Sequence, residues 1–300
     1  MRIIRLKAYA KVNLGLDVIK KREDGYHEVR MIMQTIDIFD RLELRKTHRQ
    51  GIFIQTNLSF LPTNQDNLVY KAARLIMSTY KLQGGIEIYL KKCIPVAAGM
   101  AGGSADAAAV LYGMNKLYDL RLSCERLKEL GLKLGADVPF CLMRGTALAE
   151  GIGDRLTAIK AAPDCRILVA KPNFGVSTKW VYGNLRADEI REHPDIDGLI
   201  KAIEDNDLRT MASLMGNVLE TVTEAEYPQI SGLKRIMKNA GALNALMSGS
   251  GPTVFGLFEN RENAEAAFKE IKSKQLARQV YITHMLNKEK RCNGQKYFTH

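Results

Sequence analysis

The sequence is poor in the residues that build disulfide frameworks, metal cages and membrane anchors. Its five cysteines are widely separated and form no Cys-x-x-Cys pair, which argues against a disulfide scaffold and a zinc cage. No stretch reaches 18 uncharged apolar residues, and the first residues lack the layout of a signal peptide. Only five histidines are present, and no Ser-His-Asp or Cys-His arrangement stands out among them. These absences predict a protein of the reducing cytoplasm and argue against nucleophilic hydrolysis.

The sequence is rich in positive charge, with 44 Lys and Arg residues against 33 Asp and Glu residues and a formal net charge of +11. This excess predicts anionic partners, such as nucleotides, phosphorylated metabolites, nucleic acid or an acidic membrane surface. Part of it lies in residues 286–300, which hold Lys288, Lys290, Arg291 and Lys296 against Glu289 alone. We predict that residues 286–300 form a solvated basic tail.

Local sequence patterns predict a mixture of strands and helices. Residues 1 to about 60 alternate like strands, with turns predicted at Asp24-Gly25 and Phe39-Asp40. A helix is predicted to begin at an Asp66 or Asn67 cap. The charge-rich stretch from 195 to 215 predicts one long helix.

The order of these elements predicts an α+β protein of two domains. Strict βαβ alternation is absent, which favours α+β layers over a doubly wound sheet. The pattern loosens near residue 160 and a new strand begins at Arg166, which indicates a domain boundary. We predict an N-terminal domain over 1–160 and a C-terminal domain over 161–285, followed by the basic tail.

The strongest local signal is a glycine-rich segment in front of a predicted helix. Its residues are Pro95, Val96, Ala97, Ala98, Gly99, Met100, Ala101, Gly102, Gly103, Ser104 and Ala105. Small side chains before a helix let backbone N–H groups close on an anion, and the helix end adds about half a positive charge. The segment is neither a Walker A loop nor a dinucleotide-binding GxGxxG motif. It predicts a phosphate cradle, with a tight turn capped by Ser104 as the alternative.

A second glycine-rich segment and two charged residues complete the candidate chemistry. The segment Ser248, Gly249, Ser250 and Gly251 predicts a loop and, beside the first cradle, would offer donors to the same polyphosphate. Lys11 lies in an apolar strand and Asp137 follows a helix stop. One interpretation is a solvent-facing lysine and a turn cap. The other is a charge-paired carboxylate that accepts a hydroxyl proton during phosphoryl transfer, and the residues alone leave both open.

Three blocks, Ala10–Leu14, Pro95–Ala105 and Ser248–Pro252, have the order and approximate spacing of the three GHMP kinase motifs. The sequence resembles this family up to about Met285. Further blocks resemble its cytidine-using branch: Asp24–His27, Asp66–Leu68, Gly135–Phe140, Glu150–Asp154 and Phe174–Tyr182. The resemblance implies a two-domain α+β fold with an N-terminal ATP-binding domain, part of it like ribosomal protein S5. It also implies a ferredoxin-like C-terminal domain, with the active site in the cleft between the two.

The resemblance further implies a reaction and its site residues. The implied reaction uses ATP and Mg²⁺ to phosphorylate the 2-hydroxyl of a cytidine diphosphate-linked methylerythritol, on the non-mevalonate route to isoprenoid precursors. The positions that match the family's sites are Lys11 and Asp137 for catalysis, Pro95–Ala105 and Asn67 for ATP, and Asn13, Tyr26, His27 and Tyr182 for the cytidine side. The metal ligands are left unassigned, with Ser104 as the nearest candidate and Asp106 behind it. Asp106 is expected in the first helical turn, where a role in stabilising the helix dipole is favoured over a role as a magnesium ligand.

Two other functions are weighed against this one. A GHMP kinase for another small alcohol, such as homoserine or mevalonate, is disfavoured by the Asp-Gly-Tyr-His and Phe-Gly-Val-Ser-Thr blocks. A basic RNA- or membrane-surface-binding protein would explain the net charge. The sequence has no aromatic RNP pattern, KH loop, zinc finger or basic zipper. We therefore expect no nucleic-acid partner and no membrane partner.

Overall fold

The structure is a computed structural model that describes residues 2–287. The predicted basic tail lies outside the described residues apart from Leu286 and Asn287. The backbone N–H of Leu286 donates to the Thr35 carbonyl at 2.9 Å, and the Asn287 side chain donates to the Ala162 carbonyl at 2.5 Å. The domain boundary near residue 160 stays a prediction.

The larger sheet of the described chain has seven strands. They are β1 (Ile3–Lys21), β2 (His27–Thr47), β3 (Gly51–Thr56), β4 (Gly85–Lys91), β5 (Thr146–Gly151), β6 (Arg155–Ala158) and β8 (Gly216–Asn217). Their order is β3-β4-β2-β1-β8, while β5 pairs with β2 and β6 pairs with β5. The long antiparallel pair β1 and β2 forms the centre of this sheet.

The turn predicted at Phe39-Asp40 is wrong, because β2 runs through these residues. Phe39 pairs with Tyr9 and Asp40 with Ala8 of β1. The Asp40 carboxylate is buried, where it accepts from the backbone N–H of Ile94 and forms an ion pair with Lys92. These partners, which are distant in sequence, satisfy the charge and hydrogen bonding of the carboxylate, so an acidic residue can lie inside a buried strand. The turn at Asp24-Gly25 is confirmed, with Gly25 at φ +84°.

The smaller sheet is antiparallel and comes from the second half of the chain. Its strands are β7 (Arg166–Lys171), β9 (Asn244–Met247), β10 (Val254–Phe258) and β11 (Gln279–His284). Their spatial order is β11-β7-β10-β9. Helices precede β9 and β11, so this half has the β-α-β-β-α-β arrangement of a ferredoxin-like unit, as expected.

Ten α-helices surround these sheets in the described chain. They are α1 (Leu68–Thr79), α2 (Gly102–Leu117), α3 (Cys124–Leu132), α4 (Asp137–Met143), α5 (Thr178–Asn184), α6 (Ile196–Glu204), α7 (Leu208–Leu214), α8 (Glu220–Glu226), α9 (Gln229–Asn239) and α10 (Arg261–Ser273). The single helix predicted over 195–215 is wrong. Asn206 has φ +58°, and Asp207 caps a new helix by accepting from the N–H groups of Arg209 and Thr210. None of the helices in the described part is long and apolar enough to span a membrane.

Helix α2 is the central helix of the fold because its alanine-rich surface packs closely on the large sheet. Most of its side chains are buried, and a Cβ at Gly113 would lie 2.6 Å from Leu6 Cδ1 of β1. A second buried cluster includes Leu16 and Met33 from the large sheet and Leu168 and Phe258 from the small one. The two sheets therefore share a core, and the N-terminus of α2 opens toward a cleft beside it.

Candidate active site

The three sequence blocks meet around the loop in front of α2. The backbone N–H of Lys11 donates to the Met100 carbonyl at 3.2 Å. The Ser248 hydroxyl donates to the Gly99 carbonyl at 3.0 Å. The loop is thus held by strand β1 on one side and by the second glycine-rich segment on the other.

Glycine is required at position 99 by this close contact. Gly99 has φ +71°, and a Cβ there would lie 2.0 Å from the Ser248 carbonyl oxygen. Ala97 and Ala101 also have left-handed backbones, at φ +50° and +55°. Left-handed alanines cost free energy and concentrate at functional sites, where the surrounding structure holds them in place.

Helix α2 begins without a side-chain cap. Its N-cap residue is Ala101, and the helix starts at Gly102, so the alternative in which Ser104 caps a tight turn is wrong. The first N–H groups of an α-helix have no partner within the helix. Here they face a loop of small residues, which is the arrangement that binds phosphate at helix N-termini.

A buried ion cluster lies beneath this loop. Lys92, at the end of β4, forms ion pairs with Asp40 of β2 and with Asp106 of α2, the latter at 2.7 Å. Burial alone would lower the pKa of Lys92, but the charges of Asp106 and Asp40 outweigh it and raise that pKa. Burial raises the pKa of Asp106, although Lys92 opposes the shift. Asp106 lies beyond the first helical turn, so its expected role at the helix dipole is wrong and an ion-pair role replaces it.

Lys11 and Asp137 reach the same region from different elements. Lys11 is buried in β1 and its ammonium donates to Asn13 Oδ1 at 2.7 Å. It forms no ion pair with a described residue, Asp137 included. Asp137 is the first residue of α4. Burial raises the pKa of the Cys141 thiol, the charge of Asp137 raises it further and the charge of Lys11 lowers it. Lys11 and Asp137 line the same cavity.

Two aromatic rings form the other end of the site. The rings of His27 and Tyr182 lie 5.1 Å apart with an interplanar angle of 41°. Buried His27 Nε2 has no hydrogen-bond partner in the described chain. Burial and the charge of Lys21 lower the pKa of His27. Burial and the charge of Asp137 raise the pKa of Tyr182.

A single cavity of about 940 Å³ connects the loop, the charged residues and the aromatic end. Of the predicted site residues, Lys11, Tyr26, His27, Asn67, Asp137, Tyr182, Gly249, Ser250 and all of 95–104 line it. The others, Asn13, Ala105, Ser248 and Gly251, are not among its lining residues. Asn13 contacts Lys11, Ala105 lies buried in α2, and Ser248 holds the Gly99 carbonyl.

Both polar side-chain atoms of Asn67 form hydrogen bonds within the protein. Its Oδ1 caps α1 by accepting from the Val69 N–H at 2.9 Å, and its Nδ2 donates to the Pro62 carbonyl at 2.7 Å. It therefore shapes the wall of the cavity near Leu61 and Leu68.

Sequence reasoning missed three of the four lysines in the cavity wall, which are Lys21, Lys92 and Lys179. Lys21, at the end of β1, and Lys179, on α5, both line the cavity. Nothing local distinguishes Lys21 and Lys179 from surface lysines, except that Lys21 lies just before the block Asp24–His27 and Lys179 lies within the block Phe174–Tyr182. That proximity is the signal that could have identified them.

Comparison with known protein families identifies the class of protein to which the chain belongs. Residues 67–145 match the profile of the GHMP kinases N terminal domain, and residues 199–277 match that of the GHMP kinases C terminal domain. These two matches define a GHMP kinase, an ATP-dependent phosphotransferase with an alcohol group as acceptor.

Individual relatives narrow the class. A 4-diphosphocytidyl-2-C-methyl-D-erythritol kinase of Lachnoclostridium phytofermentans is 56% identical over 94% of this chain and 97% of its own length. The enzyme of the same name from Clostridium perfringens is 50% identical over 95% and 99%. A crystal structure of 4-(cytidine 5'-diphospho)-2C-methyl-D-erythritol kinase superposes with a TM-score of 0.81 at 33% identity, covering 94% of this chain and 99% of that one. The chain therefore belongs to the 4-diphosphocytidyl-2-C-methyl-D-erythritol kinase family of the GHMP kinases.

The fold is shared more widely than the family. A homoserine kinase structure from Cytophaga hutchinsonii superposes with a TM-score of 0.76 at 22% identity, covering 94% of this chain and 95% of that one. At that identity the likeness extends to the fold alone. It confirms the two-domain GHMP kinase fold expected from the sequence.

Proposed function

We propose that this protein transfers the γ-phosphoryl group of ATP to the 2-hydroxyl of 4-diphosphocytidyl-2-C-methyl-D-erythritol, as the names of its relatives suggest. One observation carries the proposal. A single cavity has the glycine-rich loop and α2 at one end and the His27–Tyr182 ring pair at the other, and Asp137 also lines it. Such a cavity suits a substrate with a nucleobase at one end and a reacting hydroxyl at the other.

In the proposed reaction Asp137 is the base. The hydroxyl oxygen forms a bond to the γ-phosphorus while the bond from that phosphorus to the β–γ bridging oxygen breaks. The hydroxyl proton passes to the Asp137 carboxylate, and ADP leaves with the bridging oxygen. Most of the acceleration in phosphoryl transfer comes from positioning and charge stabilisation, so this chain needs one base and well-placed donors.

Lys11 is the proposed charge partner of Asp137. Both residues line the same cavity, and the Lys11 ammonium donates a hydrogen bond to Asn13. An ammonium buried beside the reacting hydroxyl would stabilise negative charge on the transferring group.

The two ends of the cavity have separate binding roles in this proposal. The N–H groups at the start of α2 and in the loop over 95–105 bind the ATP phosphates, with Gly249 and Ser250 on the opposite side, and the wall around Asn67 receives the adenine. At the other end Tyr182 and Tyr26 offer ring faces to the cytosine. Buried His27 Nε2 offers a hydrogen bond to the cytidine.

The polar groups near the loop would supply only part of the ligands of a Mg²⁺ ion, so the nucleotide would hold most of it. No group of three or more His, Cys, Asp and Glu residues in the part of the chain that is described could hold a metal. The oxygen donors near the phosphate cradle are the Ser104 hydroxyl and Asp106 Oδ1, which is buried without a hydrogen-bond partner. Mg²⁺ prefers oxygen ligands and retains several waters. When bound, it would neutralise charge on the phosphate oxygens.

Coupled ADP release with purified protein, ATP and Mg²⁺ tests the function. The cytidine diphosphate-linked methylerythritol is compared with mevalonate, homoserine and a blank without acceptor. Turnover confined to the cytidine compound is expected. Turnover of mevalonate or homoserine, with none on the cytidine compound, would keep the GHMP kinase class and overturn the proposed substrate.

A further inference from the structure

The cavity wall holds four lysines, and they differ in what balances their charge. Lys92 is tied to Asp40 and Asp106 beneath the loop, and Lys11 is buried against Asn13. Lys21 and Lys179 are both exposed to the cavity and form no ion pair with any residue of the described range 2–287. Their charges are thus available to a ligand.

Both free lysines lie next to the proposed cytidine end. Lys21 is paired across the sheet with His27, and its charge lowers the pKa of that imidazole. Lys179 lies three residues before Tyr182 on α5, and residues three apart share a face of a helix. Because the rings of His27 and Tyr182 are in contact, the two lysines line the cavity beside one ring pair, Lys21 from β1 and Lys179 from α5.

We infer that Lys21 and Lys179 are the counter-ions of the substrate's diphosphate bridge and select a nucleoside diphosphate-linked alcohol over a small free alcohol. The inference rests on the proposed function. A substrate whose cytosine contacts these rings and whose hydroxyl reaches Asp137 carries its diphosphate through the same cavity, whose wall includes both lysines. Phosphate oxygens are stronger acceptors for an ammonium than water-exposed neutral groups are. Contact between the diphosphate and the two lysines would therefore raise the affinity for the substrate.

The charges around these lysines support the assignment. The neighbouring Arg22 is already paired with Asp24 and Glu28 and does not line the cavity. Lys20, the residue before Lys21, is exposed and lies outside the cavity, since successive strand residues point to opposite faces. Lys20 is therefore a matched control that differs from Lys21 in position alone.

Calorimetric titration with cytidine and with CDP tests the inference, in the presence of a saturating non-hydrolysable ATP analogue. Wild type is expected to bind CDP more tightly than cytidine. Lys21→Met and Lys179→Met, which keep the apolar stem, are each expected to weaken CDP about tenfold and to leave cytidine unchanged, since a charge-assisted hydrogen bond is lost. Lys20→Met is expected to change neither ligand, and Lys179→Arg is expected to retain tight CDP binding.

Kinetics supply a second measurement. With the cytidine diphosphate-linked substrate, Lys21→Met and Lys179→Met should raise its KM by a similar factor while kcat and the KM for ATP stay near wild type. Two results would overturn the inference: equal weakening of cytidine and CDP binding in the Lys21→Met and Lys179→Met variants, or unchanged CDP binding in both variants. The proposed function would still stand in either case if the wild type phosphorylates the cytidine diphosphate-linked substrate. A wild type that binds neither ligand and phosphorylates another alcohol would overturn both.

Discussion

At the scale of single residues, the proposed chemistry depends most on the Asp137 carboxylate. Asp137→Asn keeps the size and the start of α4 but removes the base, so kcat should fall by about 10²–10⁴-fold. Binding of ATP, measured by calorimetry, should stay within about twofold of wild type, because the loop over 95–105 is unchanged. Asp119→Asn, an exposed carboxylate on the surface, is the control and should retain full activity. Near-native turnover by Asp137→Asn would contradict the assignment.

His27 should titrate below the usual range of a histidine. Burial and the charge of Lys21 both disfavour the imidazolium, so the pKa measured by NMR should lie below 6.5 and should rise in Lys21→Met but not in Lys20→Met. Because the unfolded chain binds this proton more readily than the folded one, His27 makes stability decrease as pH falls below about 6.5 toward the folded pKa. Replacing His27 by Gln should remove that part of the pH dependence of unfolding. A His27 pKa at or above 6.5 would contradict this account of its surroundings.

At the scale of elements, the contact between the two glycine-rich segments should control ATP binding. A methyl group in Gly99→Ala would meet the Ser248 carbonyl at 2.0 Å and would strain a left-handed backbone, so the segments must separate. We expect the KM for ATP to rise at least about tenfold and stability to fall by about 1–3 kcal/mol.

The matched control for this variant is Gly232→Ala. Gly232 lies in α9 and a Cβ there meets no atom within 4 Å. Alanine should leave activity unchanged and stabilise the helix by up to about 1 kcal/mol in thermal unfolding. Unchanged ATP affinity in Gly99→Ala would show that the contact between the segments does not determine the geometry of the phosphate-binding loop.

The Lys92 cluster should behave as a unit that ties β2, the end of β4 and α2 together. Lys92→Met leaves two carboxylates buried without a cation and should cost about 3–5 kcal/mol in denaturant unfolding. Asp106→Asn should cost less, since Lys92 keeps Asp40. The loss in Lys92→Met should shrink at low pH, where Asp106, whose pKa is already raised, binds a proton. Equal stability of Lys92→Met and wild type would rule out this role.

Elements with local signals were predictable, and those with distant partners were not. The Asn67 cap and the glycine-rich approach to α2 both follow from neighbours in sequence. The path of β2 through Asp40 does not, because its partner Lys92 lies 52 residues away. In the site, Lys21 and Lys179 have only nearby sequence blocks to mark them, and the fold alone brings them and Lys92 to one cavity.

At the scale of the whole molecule, the net charge of +11 should act on encounter with anionic substrates. Between about 0.01 M and about 0.15 M salt the Debye length shrinks from about 30 Å to about 8 Å, which screens distant charges first. We expect kcat/KM for the cytidine diphosphate-linked substrate to fall several-fold over this range while kcat changes little. Binding of uncharged cytidine should be insensitive to salt.

The local and the overall contributions to this salt effect can be separated. A double variant, Lys21→Met with Lys179→Met, removes two charges next to the proposed diphosphate position and leaves most of the excess in place. It should therefore have a weaker but still measurable decrease of kcat/KM with salt, because the remaining field still attracts the substrate. If the double variant lost all salt dependence, steering would come from the two lysines alone. If it kept the full wild-type dependence, the lysines would carry no part of it, and the charge spread over the rest of the surface would account for the whole effect.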